Sequence, residues 1–146
     1  MNLPVNKEYD GQVSRGQHFQ YMSNMLQMNQ GYGFYKEIAQ LAGIASTDCS
    51  WSILLADFNN DQYLDYIQVD MDAKDNRRSK ANMASMNPDL FWSTVNYGFH
   101  YQYMHNTLQL NRRVEGEKPF FSNISRLSGI SSTDWSWGPL LADFDN

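Results

Sequence analysis

The feature that most restricts this chain is that it carries the same unit twice. His18–Asn29 matches His100–Asn111 at an offset of 82, with 8 of 12 positions identical. Ala45–Asn60 matches Ser131–Asn146 at an offset of 86, with 11 of 16 identical. The four-residue difference falls between the blocks, where Arg112–Pro119 is longer than Gln30–Gly33. Surface turns absorb such insertions. A repeat of this size is one supersecondary unit that buries its apolar face against its neighbours.

Each copy reads as a series of short strands. Leu26 and Met28 share a parity with Asn24, which predicts a strand near 24–29; Gln30–Gly33 is a turn and 34–38 a second strand. Ser46, Thr47 and Asp48 form a turn cluster ahead of Trp51–Ala56, an apolar run of the kind found in strands covered on both faces. Ile67, Val69 and Met71 alternate with Gln68, Asp70 and Asp72, the period of two of a strand. The predicted strands are 24–29, 34–38, 51–57 and 64–70, then 106–111, 120–125 and 136–143. Four strands in about fifty residues is the content of one propeller blade. Trp51 is equivalent to Trp137, and Leu54–Leu55 to Leu140–Leu141, so these residues are predicted to share a core position.

Between the copies the pattern changes. Asn87 followed by Pro88 reads as an N-cap and first helical position, predicting a helix over 88–96 that Gly98 could end. Arg77, Arg78 and Lys80 lie near Asp70, Asp72 and Asp75 and read as a solvated, locally neutralised loop. Met83 and Met86 read as packing residues.

Chemistry is concentrated in Asp57–Asp65. Oxygen-bearing side chains stand at its first, third, fifth and ninth positions: Asp57, Asn59, Asp61 and Asp65. A hard cation such as Ca²⁺ takes about six to eight oxygens, and a tight acidic loop collects them. The Tyr63 carbonyl could add another. An EF-hand would place Gly sixth and Glu twelfth, whereas this chain has Gln62 and Gln68, and the flanks read as strands. The unit is therefore a strand, an acidic loop and a strand. The same residues also suit a metal-free acidic turn, since Asp and Asn favour turns.

Composition removes several function classes. The 146 residues are 42% apolar, 18% charged and 14% aromatic, which suits an ordered, β-rich chain. A net charge of −5 opposes general nucleic-acid binding. No apolar run approaches the length of a membrane span. Met1–Gln17 lacks the apolar stretch of a signal peptide. Cys49 stands alone, excluding an internal disulfide, and reads as a small hydrophobe. Of the three histidines, His18, His100 and His105, the first two are equivalent, which favours a structural role, and neither of those two has a Cys, His or acidic partner at ligand spacing. No nucleophile–base pair emerges, so an enzyme is not expected.

The combination of Asn106–Asn111, Ser132–Trp137 and Leu141–Asn146, with counterparts Asn24–Asn29, Ser46–Trp51 and Leu55–Asp65, resembles the FG-GAP/VCBS repeat proteins. Their repeats are integrin-α-type β-propeller blades. Within that group the likeness is nearest to bacterial surface proteins related to cartilage acidic protein, to which His100–Met104 adds support. The resemblance implies an all-β fold of about two blades with a short helical insertion. The parts would be an N-terminal loop (1–17), a first repeat (18–72), an insertion (73–99) and a second repeat (100–146). It implies Ca²⁺ held by Asp57, Asn59, Asp61, the Tyr63 carbonyl and Asp65. Gln62 stands where the family has Gly. Asp143 and Asp145 form only a partial second loop, and the chain reads as a piece of a longer repeat protein. The implied function is a calcium-stabilised module for structural support and for protein or glycan recognition, exported or at a cell surface or in a periplasm. Its partners would include further blades of the parent chain. The alternative is a domain that positions substrate for an attached enzyme.

Overall fold

The computed structural model describes residues 11, 13–16, 23–81, 87–113 and 119–144. The predicted 1–17 loop, His18, Met83, Met86 and Asp145 fall largely or wholly outside these residues. In chain order the elements are β1 (Gln27–Gly31), β2 (Phe34–Glu37), α1 (Ala39–Ala42), β3 (Ser52–Ala56), β4 (Asp65–Val69), α2 (Asn76–Ala81), α3 (Pro88–Asn96), β5 (Thr107–Asn111) and β6 (Phe121–Asn123). The described chain is mostly β, in two antiparallel sheets with short helices and no closed barrel.

The first sheet is the hairpin of β1 and β2. Gly31 pairs with Phe34, leaving a two-residue turn at Tyr32 and Gly33, both with positive φ (52° and 81°). That backbone matches the twist of the flanking strands and suits Gly better than Tyr.

The second sheet has the order β3-β4-β5-β6, and it takes two strands from each sequence copy. β4 lies between β3, in register Ser52↔Val69 through Ala56↔Asp65, and β5, in register Tyr66↔Gln109, Ile67↔Leu108 and Gln68↔Thr107. This reverses what the sequence pattern predicts. The alternating strand β4 is interior and buries Gln68 as well as Val69, and Asp70 just after it is buried too. The mainly apolar β3 pairs, among the described residues, with β4 alone and leaves Ile53 and Leu55 exposed. What lies over each face decides burial here: the 39–44 segment packs on Tyr66, and Gln68 Nε2 donates to Asp48 O and Cys49 O.

The two copies repeat one set of hydrogen bonds. Asn24 N donates to Ala45 O (2.9 Å), as Asn106 N does to Ser131 O (2.9 Å). Asn24 Nδ2 reaches Ile44 O (3.0 Å) and Thr47 Oγ1 (2.5 Å), while Asn106 Nδ2 reaches Ile130 O (2.8 Å) and Thr133 Oγ1 (2.6 Å). Ile38 N bonds Leu26 O, and Ile124 N bonds Leu108 O (2.9 and 2.8 Å). Each copy then makes a short helical turn closed by a left-handed glycine, Gly43 (φ 77°) or Gly129 (φ 74°), the conformation that ends a helix cheaply only for Gly. The Asn is thus the clamp of the unit, tying the approach to its first strand to its Ser-Thr-Asp turn.

Three further expectations are settled by the packing. α3 spans Pro88–Asn96 as predicted, and the Asn87 side chain accepts from Asp89 N and Leu90 N, satisfying two of the orphan donors at its start. No strand forms at 136–143, because its counterpart β3 is held by β4, and no β4-like strand follows among the described residues. Trp51 and Trp137 are not core residues: they are 52% and 57% exposed. Leu55, Leu140 and Leu141 are exposed too. Trp51 stands just before the edge strand β3 and meets Trp137, and both stay open to solvent. The core lies elsewhere, where Ala39, Ala42 and Ile44 of the first copy meet Tyr66, with Leu26 and Phe121 packed around them.

Candidate functional site

The acidic loop joins the paired ends of β3 and β4, so the hairpin register fixes its two ends. Asp57 caps it: its Oδ1 accepts from Asp61 N (3.0 Å) and its Oδ2 from Gln62 N (2.8 Å). Asn59 Oδ1 also receives Asp61 N (3.3 Å), and Asn59 Nδ2 donates to Asp61 Oδ2 (2.8 Å). Asp61 Oδ1 accepts from Tyr63 N (2.9 Å). To make this winding the chain places Asn60 (φ 59°) and Gln62 (φ 72°) in the left-handed region. Gln62 therefore adopts the conformation that Gly would take more readily, at a cost of about 1 kcal/mol.

The five predicted positions do not share one environment. Asp57, Asn59 and Asp61 are knit together at the surface. Asp65 is fully buried, with Oδ2 accepting from Phe58 N (2.9 Å) and Oδ1 from Asn111 N (2.7 Å). It closes the loop on one side and anchors the end of β5 on the other. The Tyr63 ring carries the Arg113 guanidinium at 5.8 Å from its centroid. Asp143 is exposed.

Electrostatics follow from these bonds. Desolvation acts upward on Asp57, but N–H groups of Gln62, Asp61, Asn60 and Asn59 outweigh it and hold the carboxyl below its ordinary range. The repulsion among clustered carboxylates is thus offset by the backbone. The donor set is wholly oxygen, which fits a hard cation in kind, and each carboxylate oxygen that accepts one N–H retains a second lone pair. Among the described residues, no three His, Cys, Asp or Glu side chains are gathered as metal ligands.

A second polar centre was not legible as one in the sequence. The Ser-Thr-Asp turns staple the copies together. Asp48 Oδ1 accepts from Tyr103 N (2.8 Å), and Asp134 Oδ1 accepts from Lys74 N (3.1 Å). Asp134 N and Ser136 N donate to Asp72 O (3.1 Å) and Asp70 O (3.2 Å). Arg78 pairs with Asp134 at 2.8 Å, so this part of the predicted basic loop neutralises an acid of the second copy and lies on a helix, α2. His105 Nδ1 meets Asp72 Oδ2 at 2.9 Å, where Ser132 Oγ also donates (2.5 Å). His100 Nε2 bonds Thr47 O (2.9 Å).

Asp70 lies at the middle of this centre and is 1% exposed. Its Oδ1 accepts from Met71 N (2.7 Å), while its Oδ2 has no hydrogen-bond partner. Desolvation, with the charges of Asp48 and Asp72, pushes its pKa up to about 6 against the Met71 N–H and His105. Cys49 is half-buried, and desolvation, Asp70 and Asp48 push its thiol up. Such a thiol is a poor nucleophile. A repeated Ser-Thr-Asp block was visible in the sequence, but its bonding to the other copy was not.

Among the described residues no helix is long and apolar enough to cross a membrane. Comparison with known protein families, with characterised proteins and with solved structures finds no match to this chain.

Proposed function

We propose that this chain is a calcium-stabilised β-propeller repeat module of the FG-GAP/VCBS type, serving structural support and recognition of a protein or glycan in an exported or surface protein. The observation that carries the reading is the sheet β3-β4-β5-β6, an antiparallel four-stranded sheet that begins in one copy, ends in the next and bears the acidic loop on its first hairpin. A blade shared between successive repeats has this form. The hairpin β1–β2 is bonded internally like β5–β6, so the edge that β5 gives to β4 is the edge that β1 offers to a β4-like strand of another repeat. Further repeats are therefore its first partners. Calcium would be held by Asp57, Asn59, Asp61, the Tyr63 carbonyl and Asp65. Recognition, and not catalysis, suits the remaining polar groups: His100 and His105 are engaged in bonds between segments, and the Cys49 thiol is disfavoured as thiolate.

Thermal unfolding followed by tryptophan fluorescence tests this. Millimolar Ca²⁺ should raise Tm, Mg²⁺ should raise it less, and Asp61→Ala should remove most of the difference. A Tm indifferent to Ca²⁺ would reduce the loop to an acidic turn.

A further inference from the structure

The second surface of interest lies away from the acidic loop, where α3 meets the segment leading into β5. Trp92 packs edge-to-face on Phe91 (5.3 Å between centroids), Phe91 on Tyr103 (5.4 Å), and Tyr103 stacks on His105 (5.9 Å, planes 22° apart). Trp92 and Tyr103 remain substantially exposed, as does Tyr101 beside Phe91. The Tyr103–His105 end of the row is held in place. Tyr103 N is bonded to Asp48, Cys49 N donates to Tyr103 O, and His105 is tied to Asp72. That end therefore loses little freedom when a ligand covers it.

The row runs into a cavity of about 430 Å³ that Tyr103 and His105 share with Asp48, Asn123 and Arg126. An aromatic wall followed by a carboxylate, an amide and a guanidinium combines apolar faces with both acceptors and donors. A pyranose ring presents that complement, with C–H groups on its face and hydroxyls on its rim. Arg126 lies close enough to Asp48 to act on its charge, so the cavity offers a group of each sign. The whole chain is acidic. Polyanions, nucleic acid included, are disfavoured here. We infer that the Trp92–Phe91–Tyr103–His105 row and its adjoining cavity form a binding site for a neutral oligosaccharide, with sugar rings stacked along the row and hydroxyls bonded to Asp48, Asn123 and Arg126. This rests on the recognition half of the reading above and gives it a place and a ligand class.

The test is affinity electrophoresis and titration of the full chain with cellohexaose, laminarihexaose and mannohexaose, with an oligogalacturonate as the anionic control. At least one neutral hexasaccharide should bind saturably, and the oligogalacturonate should not. Tyr103→Ala and Trp92→Ala should each weaken binding about fivefold or more, Tyr103→Phe should retain it, and Trp137→Ala, outside the row, should leave it unchanged. Failure of all three neutral sugars overturns the inference, as does undiminished binding by Tyr103→Ala with native thermal unfolding. Preference for the anionic sugar, or displacement of bound sugar by Trp137→Ala alone, overturns it too. A null sugar result with an intact calcium response removes this site and leaves the repeat reading standing; loss of the calcium response bears on that reading instead.

Discussion

Trp51 and Trp137, which hold the same place in the two copies, meet edge to face with ring centroids 4.9 Å apart and planes at 67°. Equivalent residues of a repeat usually make equivalent contacts to other residues; these two contact each other. Half exposed, each contributes less than a core tryptophan would. Trp51→Ala should cost about 1–2 kcal/mol, and a double-mutant cycle with Trp137→Ala should return a coupling of about 0.5–1.5 kcal/mol. Denaturant titration of the four proteins measures both.

The clamp asparagines should differ in weight. Asn106 is buried, and besides its two Nδ2 bonds its Oδ1 accepts from the buried Asp70 N (2.7 Å). Asn106→Ala leaves that donor unsatisfied and should cost about 2–4 kcal/mol, against about 1–2 kcal/mol for the half-buried Asn24→Ala. Equal losses in chemical denaturation would show that the two clamps are not graded by burial.

Asp70 gives stability a pH dependence of defined sign. Its folded pKa of about 6 lies above the unfolded value, so the folded state binds the extra proton between the two. That stability is complete below the unfolded pKa and is lost as pH rises through about 6, an effect of about 2–3 kcal/mol. Between pH 4 and pH 7 the contribution falls, and Asp70→Asn should flatten that fall. Asp57 acts oppositely: its lowered pKa contributes stability that is lost only as pH drops through the folded value. Unfolding free energies of parent and Asp70→Asn across this range decide the matter.

Gln62→Gly relieves the left-handed strain at φ 72° while loosening the unfolded chain, so its net gain without metal should be small, about 0.5 kcal/mol or less. With Ca²⁺ present the gain should grow, because Gly lets the loop adjust around an ion. Calorimetry with and without Ca²⁺ reads the difference; equal effects in both conditions would separate the Gln62 backbone from ion binding.

Cys49 should alkylate slowly. Desolvation and the Asp70 and Asp48 charges disfavour its thiolate. Iodoacetamide labelling of the native chain at neutral pH should lag well behind that of the unfolded chain, and Asp48→Asn should narrow the gap.

Local chemistry was legible in the sequence wherever local chemistry decides the outcome. Asn87-Pro88 starts α3 where the spacing predicts, Asp57 winds its loop, and the strands near 27–31, 34–37, 65–69 and 107–111 lie close to their expected places. What stayed hidden depends on which strand lies beside which. Ile53 and Leu55 read as doubly covered because they are apolar, yet β3 is an edge. Gln68 and Asp70 read as a polar side, yet the Asp48 and Cys49 carbonyls take the Gln68 amide, and Asp70, just past β4, is buried as well. Asp65 looked like one more ligand in a series, while its bond to Asn111 N makes it part of the join between the copies.

The staggering of sheet against repeat has a consequence for synthesis on the ribosome. β4 emerges with one edge filled by β3 and the other open, and the strand that fills it, β5, lies beyond the whole 70–106 connection. At about 5–20 residues per second, that interval lasts roughly 2–7 seconds. During it an apolar two-stranded ribbon waits with an unpaired edge, close to sister chains on the same polysome doing likewise. Arg77, Arg78 and Lys80 follow, but with Asp70, Asp72 and Asp75 beside them the connection carries little net charge, so the edge stays open until its own β5 arrives.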